Sequence, residues 1–133
     1  MESEWDRKKT QLVNRFPRLY RLHRDGMAGF GIDKGWFPLL ERLSSSLTEI
    51  SLQHGIRITA RDIKQKWGTL RFYYSVETPT TNSSRRTQAE EEIRSVIATA
   101  EAESAVTCEK CGRPGALRKG RGWRVSCDRC HRS

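Results

Sequence analysis

The chain has 133 residues, of which 35% are hydrophobic and 31% charged, and it carries a net charge of +9. That length allows one modest core and one small module, and no apolar run approaches the roughly 20 residues of a membrane helix. The start, Met1-Glu2-Ser3-Glu4, opens on acids, and no signal-like apolar run follows, so a cytoplasmic protein with reduced cysteines and no membrane partner is expected.

Residues 4–16, EWDRKKTQLVNRF, set Trp5, Leu12, Val13 and Phe16 at helical spacing. Pro17 interrupts, because it lacks an N–H and restricts its predecessor. A second short piece, Pro17 to His23, turns Leu19, Tyr20 and Leu22 toward the core, giving helix over about 4–23. The basic residues between them read as a solvated face. Asp25 to Gly35 holds four glycines in eleven residues and reads as a loop. It lacks the lysine and the hydroxyl residue that end a phosphate-binding loop.

A helix is predicted over about 36–54. Pro38 suits its first turn, Phe37, Leu40, Leu43, Leu47 and Ile50 share a face, and Gly55 is placed to end it. The period then changes to two. Ile56, Ile58 and Ala60, then Leu70, Phe72, Tyr74 and Val76, alternate with polar residues and predict a hairpin over about 56–76, turning near Trp67, Gly68 and Thr69. The apolar set faces the helices; the other face presents Lys64, Lys66, Arg71 and Tyr73, with Trp67 near the tip. Aromatics among basic residues on a sheet make a base-stacking platform. The favoured reading is that Trp67 and Tyr73 cover the sheet edge or pack against the zinc module, since aromatics are common in strands.

Glu77 to Arg86 is a polar linker, and Thr87-Gln88-Ala89-Glu90 reads as a capping box. It opens a helix over about 87–105 with Ala89, Ile93, Val96, Ile97 and Ala100 on one face and Glu90, Glu91 and Glu92 at its positive end. The helix leads to Cys108.

The last 26 residues hold all four cysteines. Cys108 and Cys111 are separated by two residues, as are Cys127 and Cys130, with fifteen between the pairs. Two such turns aim four sulfurs at one metal and complete a tetrahedron. Gly112 follows the first pair, where such a turn favours positive φ. A segment this short buries too little apolar surface to fold alone, and structural zinc returns roughly 10–16 kcal/mol. His131 in place of Cys130 would also complete a chemically legal set. In either case four protein ligands fill the sphere, so the zinc is structural.

Six of the nine net positive charges fall in this tail. A zinc ion with four thiolates is a dianion, which leaves an excess suited to a polyanionic partner. Arg113, Arg118, Lys119, Arg121 and Arg124 are the candidate phosphate contacts, and Trp123, with Trp67, the candidate for base stacking. Trp123 and Val125 are expected to pack back on the preceding helix.

Assembled, these pieces resemble a group of small proteins from bacteria, phages and prophages. The resemblance lies in Arg15-Phe16-Pro17-Arg18-Leu19-Tyr20, in Gly35-Trp36-Phe37, and in Lys66-Trp67-Gly68-Thr69-Leu70-Arg71-Phe72-Tyr73. Ala100-Glu101, Ser104-Ala105, Cys108-Glu109-Lys110-Cys111-Gly112 and Gly122-Trp123 through Cys127-Asp128 complete it. Asp33-Lys34-Gly35-Trp36 stands where that group has a pattern closer to Gly-Asp-Gly-Trp. The resemblance implies an α+β domain with a zinc ribbon in a bacterial or phage-infected cell, and it carries no activity.

The expected architecture is α+β: a small helical domain packed on a hairpin over residues 1–107, then a four-cysteine zinc ribbon or knuckle module over 108–133. The expected function is non-enzymatic binding of nucleic acid or a nucleoprotein complex. The alternative is a phage or mobile-element protein that inhibits a host nucleic-acid enzyme or an anti-CRISPR-like defence target by direct binding. Pairing of hairpin edges into a homodimer is compatible with both. His23, His54 and His131 lie in separate elements with no evident carboxylate partner, which speaks against catalysis.

Overall fold

Ser3 starts the first helix, α1 (Glu4–Arg15), through a reciprocal cap: its hydroxyl accepts the Asp6 N–H, and the Asp6 carboxylate accepts the Ser3 N–H. The structure, a computed structural model, describes residues 3–23, 30–78 and 83–132. The first half of the predicted glycine-rich loop and the middle of the predicted polar linker lie outside the described residues. Leu12 and Val13 are the buried residues of α1, and Arg15 ties it to Glu41 at 2.9 Å. The helix stops at Arg15, just before the interruption expected at Pro17, and of the second piece expected over Pro17 to His23 a 3-10 turn forms at Arg21–His23. In that segment Leu19 and Tyr20 are buried, whereas Leu22 is exposed and not part of the core as expected.

A 3-10 turn at Lys34–Trp36 leads into α2 (Phe37–His54). Its predicted face is buried, joined by Leu39 and Trp36, and Gly55 ends it in left-handed geometry at φ 63°. Ser44 is also buried: its hydroxyl bonds the Leu40 carbonyl at 2.7 Å and the Tyr20 hydroxyl at 2.6 Å. Burial raises the Tyr20 hydroxyl well above its ordinary 10.0. Tyr20→Phe leaves Ser44 still bonded to Leu40, while Ser44→Ala strands a buried hydroxyl. Denaturant unfolding is therefore expected to show a loss of about 1 kcal/mol for Tyr20→Phe and about 2 kcal/mol for Ser44→Ala.

The sheet has the order β1-β2-β3, from β1 (Phe30–Gly31), β2 (Arg57–Lys66) and β3 (Thr69–Glu77). The short β1 lies inside the stretch expected to be loop, and pairs parallel to β2 through Phe30–Ile63 and Gly31–Lys64. β2 and β3 form the predicted hairpin, with a bulge between Ala60 and Ile63. The bulge shifts the buried parity, so Ile63 continues the face begun by Ile58 and Ala60. Only Trp67 and Gly68 connect the strands, at φ 57° and 84°, the sign pattern of a type I′ turn. Such turns favour Asn-Gly. Tryptophan in the left-handed region costs about 1–2 kcal/mol.

α3 (Ser83–Ser104) begins earlier than the predicted capping box, so Thr87 is inside the helix and the three glutamates lie beyond its first turn. Ala89, Ile93, Ile97 and Ala100 are buried as expected, with Val96 partly so. α2 and α3 pack together, and Arg42–Glu103 and His54–Glu92 join them at the surface and near the core. The end of α3 is fixed to the hairpin, where the Leu70 N–H donates to the Ser104 hydroxyl at 2.9 Å. The core thus lies between the helices and one face of the sheet, an α+β arrangement. Among the described residues no helix is long and apolar enough to cross a membrane.

Candidate metal centre and the basic groove beside it

Three residues past α3, the chain enters the first cysteine turn. The Gly112 N–H closes it onto the Cys108 carbonyl at 2.8 Å, and the Cys108 N–H bonds the Arg113 carbonyl at 2.7 Å. Gly112 has φ 83°, the left-handed geometry expected there. A two-stranded sheet, β4 (Ala116–Lys119) with β5 (Trp123–Ser126), carries the chain to the second pair. Cys127 then caps the short helix α4 (Asp128–His131), its sulfur accepting the Cys130 N–H at 3.4 Å.

The four cysteine sulfurs lie within 4.8 Å of one another, and those of Cys111 and Cys127 are 3.6 Å apart. All four are free cysteines. The cluster can hold a metal ion, and its fourth member is Cys130, not the exposed His131. Burial raises the Cys108 thiol, but backbone groups of Cys127, Cys111 and Lys110 outweigh that and bring it down to about 6. A hydrogen bond from the Cys130 backbone likewise lowers Cys127. Its interaction with Cys127 pushes Cys130 up to about 12. Lowered and raised thiols side by side are what titratable groups sharing one small site produce.

This module is seated on the core at two places. At the first, Gly35 lies so close that a Cβ there would come within 2.2 Å of the Cys108 carbonyl oxygen and 2.4 Å of that of Glu109. The Gly35 N–H donates to the Glu109 carbonyl at 2.6 Å, and the Trp36 indole N–H donates to the Thr107 carbonyl at 2.9 Å. The Glu109 side chain is buried, accepting the Asp33 N–H at 3.0 Å and Arg124 at 3.1 Å. Burial raises its carboxyl above the ordinary value, and these partners offset part of the rise. At the second place the hairpin tip meets the sheet of the module. Trp67 and Trp123 stand edge to face with centroids 5.3 Å apart, and Gly68 lies against Leu117 and Val125. Trp123 thus packs on the hairpin tip and not on α3 as expected; Val125 is buried beside Gly68.

An open groove of about 850 Å³ runs along the module, lined by Lys110, Arg118, Lys119, Arg121 and Arg124, with His131 also in its wall. Four of the predicted phosphate contacts converge there; Arg113 is not among the lining residues. Their freedom differs. Arg118 bonds the Ser126 carbonyl at 3.2 Å and Asp128 at 2.7 Å, lowering the Asp128 carboxyl, so it braces the second cysteine turn. Arg124 is held by Glu109. Lys119 lies 4.8 Å from the Trp123 ring centroid, and its charge remains in the groove.

On the hairpin, Lys64 and Arg71 are cross-strand partners. Lys64 pairs with Asp62 at 3.4 Å and lies over Tyr73, while Lys66 is exposed beside Trp67. Arg71 is half-buried, and its Nε is buried with no hydrogen-bond partner among the described residues. Sequence reasoning missed the seating contacts of Asp33, Gly35, Trp36 and Glu109, whose only local signal is the Gly35-Trp36 pair. It also gave His54 no carboxylate, yet Glu92, on the other helix, is its partner. His23 is buried and bonds the Ala60 carbonyl at 3.2 Å. No protein-family model, curated protein or solved structure matches the chain.

Proposed function

We propose that the four cysteines hold one structural zinc ion, and that the basic groove beside it binds the phosphate backbone of a nucleic acid, free or within a nucleoprotein complex. Around zinc with Zn–S bonds of about 2.3 Å, tetrahedral sulfurs stand about 3.8 Å apart. The observed 3.6 Å for Cys111–Cys127, and the 4.8 Å limit for the whole set, fit that ion with small adjustment. Four protein ligands leave no open position, so the ion folds the module and the module is a binding element, not an enzyme.

The observation that carries the reading is the convergence of five cations, against the two acids Asp33 and Glu109, on one groove walled by the β4–β5 sheet, its connecting loop and the cysteine turns. Two of the five are committed to Asp128 and Glu109. Lys110, Lys119 and Arg121 remain for phosphates, which accept such charges and release counterions. The bacterial or phage setting implied by the resemblance suits such a partner.

Binding of labelled DNA and RNA to the zinc-loaded protein across a salt series tests this. Affinity is expected to fall steeply with salt, and Lys119→Ala with Arg121→Ala to weaken it while reducing the logarithmic salt slope by about two. Arg118→Ala is the wrong probe, because it loosens the second cysteine turn. Absence of binding at low salt contradicts the proposal and points instead to a protein partner, the inhibitor reading.

A further inference from the structure

Resting on that reading, we infer that the nucleic acid is single-stranded, with Trp67 and Trp123 forming the platform on which its unpaired bases stack. Three independent features point there. Trp67 sits in a turn whose geometry disfavours it: at φ 57° an asparagine would be at ease and an indole is strained. A residue held in an unfavourable backbone region is a sign of function when packing does not account for it. Here packing does so only in part, since Trp67 is 58% exposed and Trp123 39% exposed.

The second feature is the shape of the pair. The two rings are inclined at 72°, so the edge of one meets the face of the other, and the rest of both indoles stays exposed beside the hairpin tip. The third is position. Trp123 is on the face of the β4–β5 sheet opposite Arg124, at the edge of the groove, and Lys119 connects the two: it lines the groove and lies 4.8 Å from the Trp123 ring centroid. Lys66, which precedes Trp67 in the chain, is exposed. A strand leaving the groove past Lys119 would bring its next bases to the indoles. In a duplex those base faces are already stacked and unavailable to a side chain, so this platform selects unpaired nucleotides.

The experiment compares a labelled oligothymidylate with a duplex of equal length, using zinc-loaded wild-type protein, Trp67→Asn and Trp67→Tyr. Asparagine is the residue the turn prefers, so Trp67→Asn removes the ring while easing the backbone. The wild type is expected to prefer the single strand at least tenfold. Trp67→Asn is expected to lose about tenfold in single-strand affinity with duplex affinity unchanged, and Trp67→Tyr to retain most of it. Metal content and melting temperature are recorded for each variant. Single-strand affinity that follows the melting temperature and not the ring overturns the inference. Equal binding of both substrates, untouched by Trp67→Asn, also overturns it and leaves the groove reading standing. No binding of either substrate removes both.

Discussion

Cys111→Ser is expected to release the metal and melt the cysteine module while the helical core stays folded. The expectation follows from where the apolar contacts lie. Among the described residues, the main core draws on α1, α2, α3, the sheet and the segment around Tyr20, and includes none after Ala100. Beyond Ser104 the buried apolar groups are few, chiefly Cys108, Val125 and Cys127. Those cannot offset about 1–2 kcal/mol of backbone entropy per ordered residue. On the proposed function, coordination of the metal, worth roughly 10–16 kcal/mol in small zinc modules, would supply the difference. Hydrogen exchange should therefore show protection lost across β4, β5 and α4 and retained in α2 and in most of β2 and β3. Uniform loss of protection along the chain would mean that the module and the core fold as one unit.

The second large effect is expected at a position with no charge and no ligand. Gly35→Ala places a methyl group 2.2 Å from one backbone carbonyl and 2.4 Å from the next, and neither can rotate away. The first cysteine turn must retreat by about 1 Å to reach ordinary contact. That movement strains the Gly35–Glu109, Asp33–Glu109 and Trp36–Thr107 hydrogen bonds together. A loss on the order of 3 kcal/mol is expected, which in a chain of this size lowers the melting temperature by about 10 °C. Gly120→Ala is the control, since nothing lies within 4 Å of a Cβ there, and it should melt close to the wild type. Equal melting of the two variants would show that the contact at Gly35 is not what seats the module.

Much of the architecture is local and was readable from the sequence for that reason. The two short spacings, Cys108 to Cys111 and Cys127 to Cys130, mark turns that bring four sulfurs together, and the apolar faces of α2 and α3 follow from their helical period. The alternation in β3 likewise marks its buried side. What escaped was set by tertiary contacts. The bulge after Ala60 changes which residues of β2 face inward, and no short pattern announces it. β1 exists because Phe30 and Gly31 find an open edge beside Ile63 and Lys64. The start of α3 at Ser83 overrides a capping signal at Thr87 that local sequence favoured. At the candidate site the basic residues were identifiable from composition, but their division into braces and free charges was not. Arg118 and Arg124 read like their neighbours in the sequence and differ only in meeting Asp128 and Glu109. Packing of Trp67 against the cysteine module was one of the readings open in the sequence, but its partner Trp123 lies in another element and no local pattern names it.

The measurement that bears most directly on the account is native mass spectrometry of the purified protein, combined with thiol counting before and after chelation. The account predicts one zinc ion per chain, four thiols shielded while it is bound, and four reactive thiols with loss of β4–β5 structure once it is removed. A folded chain that carries no metal, with its module intact and its cysteines freely reactive or joined in disulfides, would contradict it.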